Sequence, residues 1–361
     1  MALLQQFALP LLAWYQQHGR RDLPWQNPRT PYRVWLSEIM LQQTQVKTVI
    51  PYFIRFINRF PDIRSLAGAE EDDVLALWSG LGYYSRGRNL HKTARMICET
   101  HNGVIPDKVS ELTRLPGIGE STAAAIASLA YNQRTPILDG NVKRVLSRFF
   151  LISDSLELTH VKQKLWKLAD ACMPSQQCAD YTQAIMDLGA TCCLARNPTC
   201  ELCPLQQNCQ AFLTKQVKNI PKKKEKKIKP ALTKQFLLIH NRDNLIFLEK
   251  RPPSGIWGGL WCLPSIDENQ CARTHLLETY LLHVDEPRAL AAFRHGFTHF
   301  TLNIKAFSLC AVNFHAPNPS VNGRFFRADE IFSLGLAKPV IRIIQHFINT
   351  KKPEMVELSS E

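Results

Sequence analysis

Cys193, Cys200, Cys203 and Cys209 fall within seventeen residues, separated by six, two and five residues, on a segment that also holds Pro198 and Pro204. So short and turn-rich a stretch cannot build an ordinary core. Four thiolates can instead draw it around one centre, and such a set binds either zinc or an iron–sulfur cluster. The spacing alone does not choose between them. Five of the eleven cysteines crowd between Cys192 and Cys209 in a chain of 361 residues. A disulfide framework belongs to a small secreted chain, so this clustering points to metal in a reducing compartment, with Cys192 a bystander.

The chain is long enough for two or three domains, and its 45% hydrophobic content supports ordinary buried cores. From Leu3 to about Lys215 it reads as helix after helix, punctuated at "NGVIPD", "LPGIG", "LDGN" and "RNPTC". "IPKKKEKKIKP", Ile220 to Pro230, is a lysine-rich run between prolines that cannot pack, which predicts a solvated tether. Beyond it "KQFLLIH", "NLIFLEK", "HFTLNIKAFSLCAV" and "GRFFR" read as strands and "PVIRIIQHFINT" as a helix, giving an α+β domain. The expected boundaries are a helical domain over 1–216, a linker over 217–231 and a smaller domain over 232–361. The apolar start carries no basic n-region and four glutamines, so it reads as an amphipathic helix, and no long apolar run elsewhere suggests a membrane span. The net charge of +13 favours a polyanionic partner.

Three further stretches carry chemistry. In "SEIMLQQTQV", Glu38 has Val34 and Trp35 one turn behind it and Leu41 ahead, on a helix predicted to run from Pro31 to Ile50 and to stop at Pro51. A carboxylate among such neighbours needs a partner, such as Arg21, or a task. "LPGIGEST" lies between two helical stretches. Gly117 and Gly119 allow a tight hairpin whose N–H groups can hold a phosphate, although a Pro-Gly turn between packed helices needs no ligand. In "PILDGNVKRV", Asp139 precedes a helix and by itself reads as an N-cap.

Taken in order, "LPW", "SEIMLQQTQV", "GLGYYSRGRNL", "LPGIGEST", "LDGNVKRV", "MDLGATCC" and the four-cysteine loop resemble the MutY-type adenine DNA glycosylases of the helix-hairpin-helix superfamily. The resemblance continues after the linker, where "GIWGGLWCLP" and "FRHGFTHFTL" look like that family's Nudix-like domain for recognising oxidised guanine. It implies an all-α helix-hairpin-helix glycosylase with an iron–sulfur cluster loop followed by a smaller α+β Nudix-like domain. It also implies a 4Fe-4S cluster on Cys193, Cys200, Cys203 and Cys209, and double-stranded DNA with adenine opposite 8-oxoguanine or guanine as substrate. By the same resemblance Arg21, Trp25, Leu41 and Gln183 belong to the adenine pocket, and Gln43 and Tyr83 enter the duplex. Such an enzyme is expected to work as a monomer, without membrane, in the cytoplasm on nucleoid DNA.

The chemistry that follows needs two carboxyl groups in different environments. A protonated Glu38, raised by apolar neighbours, can protonate the departing adenine, while an ionised Asp139 stabilises the oxocarbenium-like sugar, electrostatically or through a covalent bond. The N–H donors of "LDGN" are expected to keep Asp139 ionised, and Asn141 is placed to hold water or a phosphate. Phe297, Thr298 and His299 supply an aromatic, a hydroxyl and an imidazole for the damaged base. The nearest rival, an endonuclease III-like glycosylase and lyase acting on damaged pyrimidines, places a Schiff-base lysine where this chain has Ser121. A Nudix-type hydrolase would need clustered acidic ligands, and Glu268 and Glu278 stand isolated.

Overall fold

A computed structural model describes residues 4–222, 228–312, 318 and 320–357, so 223–227 of the expected linker lie outside the described residues. The chain divides into two compact units, Met1–Gly68 with Asn89–Lys226, and Ala69–Arg88 with Lys227–Glu361. Each is described by itself below.

The first unit is helical: α1 Leu9–His18, α2 Pro31–Leu41, α3 Val46–Arg59 and α4 Ile63–Ala67 precede the excursion into the second unit. That excursion contains α5 Glu71–Trp78 and the start of α6, Ser85–His101. Next come α7 Val109–Leu112, α8 Glu120–Tyr131, α9 Gly140–Phe149, α10 Thr159–Cys172, α11 Cys178–Asp187 and α12 Gln210–Leu213. Thr30 caps α2 by accepting from the Arg33 N–H, Pro31 supplies its first residue, and Trp35, Leu36 and Met40 are wholly buried. Each such side chain contributes about 1.5–3 kcal/mol.

The single helix predicted over 31–50 is in fact two. α2 stops at Leu41, Gln43 takes a left-handed φ of 57°, α3 restarts at Val46 and Pro51 lies inside it. The break is fastened from outside: Gln42 Nε2 donates to Gly117 O (3.2 Å) and to Thr122 Oγ1 (3.3 Å). Tertiary bonds to the hairpin therefore override the continuous helical pattern. α8 is packed through small buried residues, Ala123, Ala124, Ala125 and Ala127, and Ser128 is hydrogen-bonded to Thr182 of α11 (2.7 Å).

The second unit is built on a seven-stranded mixed sheet. Its strands are β1 Ala231–His240, β2 Ile246–Lys250, β3 Trp261–Cys262, β4 Ser265–Asp267, β5 Arg288–Gly296, β6 Thr301–Cys310 and β7 Gly323–Phe326. The order is β3-β2-β1-β6-β5, with β4 paired to β1 and β7 to β2. β1 and β6 run parallel from Ala231 opposite Thr301 to His240 opposite Cys310, and the other pairs are antiparallel. Strand alternation sorts side chains to two faces. Phe236, Leu238, Leu248 and Ile304 share a core with α15, Lys338–Glu357, while Leu237, Ile239, Phe247 and Leu309 share one with α13, Ala272–Tyr280.

Leu75 of α5 belongs to the first of these cores. Asp72 Oδ1 pairs with Lys250 Nζ (2.6 Å), and its Oδ2 accepts from Trp261 Nε1 (3.3 Å). Residues 69–88 thus fold with the C-terminal unit, whereas the sequence reading kept them in a domain over 1–216. The pattern of α5 is that of an ordinary amphipathic helix and does not say which core its apolar side meets.

Candidate active site

A cleft of about 670 Å³ opens in the helical unit, lined among others by Arg20, Trp25, Glu38, Leu41, Gln43, Ser121, Asp139, Asn141 and Gln183. The end of α2, the break at Gln42–Gln45, the starts of α8 and α9 and the end of α11 contribute to its lining. The Glu38 side chain forms no ion pair or hydrogen bond with any described residue, and Arg21 is hydrogen-bonded to Gln16 instead. Burial, and secondarily the negative charge of Asp139, push its carboxyl up to about 7. That leaves a proton-bearing acid near neutral pH.

Asp139 is the N-cap of α9. Its Oδ1 accepts from the Val142 N–H (2.7 Å) and its Oδ2 from Asn141 Nδ2 (3.3 Å). The capping role and the place in the cleft are compatible, because only the cap geometry aims the carboxylate out of the helix end. The expected low pKa does not follow. Burial raises Asp139, outweighing the donors at Val142 and Asn141 and the charges of Arg144 and Lys143, which pull it down. Its charge is nevertheless the second cause, after burial, that raises Glu38.

Ser121 lines the cleft and its hydroxyl accepts from the Leu138 N–H (3.1 Å), which ties α8 to the strand-like approach of Asp139. No lysine lines this cleft among the described residues. Trp25 is buried against Phe53 edge-to-face (5.4 Å) and still reaches the cleft wall, so it is both core and lining.

Residues 36–171 match the family of HhH-GPD superfamily base excision DNA repair proteins, and 235–346 match the NUDIX domain. An adenine DNA glycosylase of Buchnera aphidicola subsp. Baizongia pistaciae is 40% identical over 339 residues, 94% of this chain and 95% of that protein. The chain belongs to the adenine DNA glycosylase family. A human adenine DNA glycosylase is 33% identical over 401 residues, 93% of this chain and 73% of its own length. Among solved structures, a thermostable thymine-DNA glycosylase matches with a TM-score of 0.54 and 27% identity over 59% of this chain and 98% of its own.

Within this family member, the pocket arginine is Arg20. Arg21, one residue on, is exposed: its guanidinium is hydrogen-bonded to Gln16 and lies over the Tyr15 ring (5.2 Å). Two adjacent arginines in "GRRD" carry no sequence signal for which one turns inward. The partner that decides it, Asp187, was also missed; it lies at the end of α11, one turn after Gln183, with a fully buried side chain paired to Arg20 (2.6 Å). Leu41, expected in the adenine pocket, lines the cleft, and so does Gln43, which was expected to enter the duplex.

The remaining residues lie elsewhere. Gly117 has φ 80° and a Cβ there would stand 3.0 Å from Asn89 Cβ, while Gly119 caps α8 with open space around it. In the second unit, Tyr83 takes φ 49° beneath the Arg86 guanidinium (5.3 Å), and its hydroxyl is hydrogen-bonded to that of Thr298 (3.2 Å). Thr298 and His299 are exposed at the β5–β6 turn, which Phe297 N–H closes onto Phe300 O (2.8 Å). Phe297 stacks on Phe300 (4.4 Å) and packs edge-on to His295 (4.8 Å).

The four cysteines of the loop line one small cavity together with Arg148 and Cys192. Arg148 Nη1 donates to Cys193 Sγ (3.3 Å) and Leu194 O (2.7 Å), and Arg144 Nε donates to Cys193 O (2.8 Å). α9 therefore carries Asp139 at one end and clamps the cysteine loop along its side. Cys192 lines the same cavity and donates its thiol to Thr199 O (3.3 Å).

Proposed function

We propose that this chain hydrolyses the N-glycosidic bond of adenine in duplex DNA, opposite 8-oxoguanine or guanine, and leaves an intact abasic site. The reading is carried by one observation: a raised, unpaired Glu38 and a capped Asp139 line the same cleft, where no described lysine is present. The adenine must be extruded from the stack to enter such a cleft, at a cost of a few kcal/mol. Glu38 donates its proton to a ring nitrogen of the departing base. Asp139 faces the developing positive charge on the sugar, held by Val142 N–H and Asn141. Asn141 is itself held by Arg144 Nη2 (2.8 Å).

With Ser121 in place of an amine, no Schiff base forms, which supports hydrolysis without strand cleavage over the endonuclease III-like alternative. The Nudix unit acts as a reader: Thr298 and His299 offer hydrogen bonds to the altered guanine edge or a nearby phosphate, with Phe297 packed behind. Gln43 and Tyr83, both in left-handed conformations that non-glycine residues adopt at a cost, are the side chains offered to the stack. Gly117 and Gly119 present backbone N–H groups to phosphate.

We assign the four-cysteine cavity to a 4Fe-4S cluster. The four thiols line one small cavity, and the family resemblance, not the donor set, favours a multi-iron centre over one zinc. Cys193, Cys200, Cys203 and Cys209 would each give one thiolate to the cluster's irons, which would cross-link the loop. About four irons and no stoichiometric zinc in protein purified under limited air supports the assignment, and one zinc without iron overturns it. For the reaction, cleavage of duplexes with adenine opposite 8-oxoguanine, guanine or thymine is scored with and without alkali. Strand breaks only after alkali are expected, and a borohydride-trapped protein–DNA adduct through an amine contradicts the reading.

A further inference from the structure

Asp187 is a buried anion that the catalytic scheme above leaves without a role. Its Oδ2 accepts from the Arg20 backbone N–H (2.8 Å), and its Oδ1 from Arg20 Nε (2.9 Å), Arg20 Nη2 (2.6 Å) and Gln183 Nε2 (2.8 Å). A carboxylate in such company only accepts, so the group that Gln183 turns towards it must be the amide NH₂. The usual ambiguity between the two ends of a glutamine amide is removed here by its neighbour. The Gln183 side chain makes no other hydrogen bond among the described residues, which leaves Oε1 facing the cleft that it lines. The cleft is thus presented with an acceptor rather than a donor.

We propose that Asp187 is a positioning residue that sets base specificity, by locking the Gln183 amide so that its oxygen faces the flipped base and accepts from a 6-amino group. Adenine carries a donor at that position, whereas hypoxanthine and guanine carry an oxygen. An oxygen opposite Oε1 leaves two acceptors facing each other, with neither satisfied, and a buried polar group without a partner is strongly disfavoured. The same carboxylate holds Arg20 by three donors, so the pocket cation cannot swing in to compensate a 6-oxo group. Selection of adenine is in this way decided one residue behind the pocket wall. The inference rests on the adenine-excision reading and deepens it.

The test uses the full-length protein and single-turnover excision from duplexes that carry adenine or hypoxanthine opposite the same guanine. Asp187→Ala frees the Gln183 amide to turn, so the adenine-to-hypoxanthine rate ratio is expected to fall about tenfold relative to the wild type. Gln183→Met, which keeps the Asp187–Arg20 pair, is expected to lower the ratio as far, and the double variant to lower it no further. If Asp187→Ala lowers both rates in proportion, the residue is merely structural and the proposal is overturned. Should that variant not fold, by circular dichroism and melting, Asp187→Asn replaces it with the same expectation of a lowered ratio, and an unchanged ratio overturns the proposal. A wild-type protein that leaves adenine intact refutes the excision reading instead, so the two failures are distinguishable.

Discussion

At the scale of single residues, the proposed chemistry rests on two buried carboxyl groups that line one cleft, both raised by burial. Glu38 lies near 7 because burial and the Asp139 charge disfavour its ionised form. Excision by the wild type is therefore expected to fall as pH rises above about 7, while Glu38→Gln should bind mispaired duplex without turning over at any pH. The linkage has a definite sign. The folded value lies above the ordinary 4.5, so the contribution to stability is complete below about pH 4.5 and is lost as pH rises through 7. Glu38→Gln should thus melt higher than the wild type at pH 8, by at most about 3 kcal/mol and less because the cleft admits water, with the gain from this source gone at pH 4. Equal melting differences at the two pH values would remove Glu38 from its acid role. Asp139→Asn is expected to be nearly inactive while losing only about 1 kcal/mol of stability, since an asparagine still caps α9. Retained excision with a large drop in melting temperature would leave Asp139 as a cap alone.

At the scale of elements, what was legible in the sequence is what local chemistry controls, and what was not is what distant partners decide. Asp139 as the cap of α9, the LPGIG hairpin before α8 and the four-cysteine loop were all readable, because each is dictated by its own few residues. The break between α2 and α3 was not, since nothing in "MLQQTQV" forbids a helix; Gln42 is pulled out by Gly117 and Thr122, some 75–80 residues away. β5 escaped for a similar reason: "RALAAFRHG" has the alanine content of a helix and becomes a strand through pairing with β6. The choice of Arg20 over Arg21 depends on Asp187, 167 residues on. The hairpin offers a direct check. Gly117→Ala must place a side chain at φ 80° with its Cβ 3.0 Å from that of Asn89, so a loss of about 1–2 kcal/mol in urea unfolding is expected. Weaker DNA binding should accompany it. Gly119→Ala, at φ −85° in open space, should leave stability almost unchanged, and equal losses at both positions would contradict this account of the turn.

At the scale of the whole molecule, the two units are threaded through each other in sequence: residues 69–88 leave the helical unit, fold with the Nudix unit and return. This bears on how damage is read. On the proposed reading the excised adenine is a normal base, so the enzyme would have to consult the opposite strand, which the cleft alone cannot do. Tyr83 is carried by the inserted segment, whose Leu75 is in the Nudix core and whose Asp72 is paired with Lys250 and Trp261. Its hydroxyl meets Thr298 at 3.2 Å, so the side chain proposed to enter the stack and the loop proposed to read the guanine are one hydrogen-bonded set. Thr298→Ala combined with His299→Ala in the full chain is expected to reduce the preference for adenine opposite 8-oxoguanine over adenine opposite guanine by about 1–3 kcal/mol, or roughly tenfold to a hundredfold. Adenine excision opposite guanine should change little, because neither residue belongs to the cleft. A fragment ending near Lys229 should discriminate as poorly, and hydrogen exchange over 69–88 should quicken in it, since that segment loses the core that holds Leu75. Full discrimination by the fragment, with exchange over 69–88 unchanged, would place damage recognition wholly within the helical unit and refute the shared role of Tyr83 and Thr298.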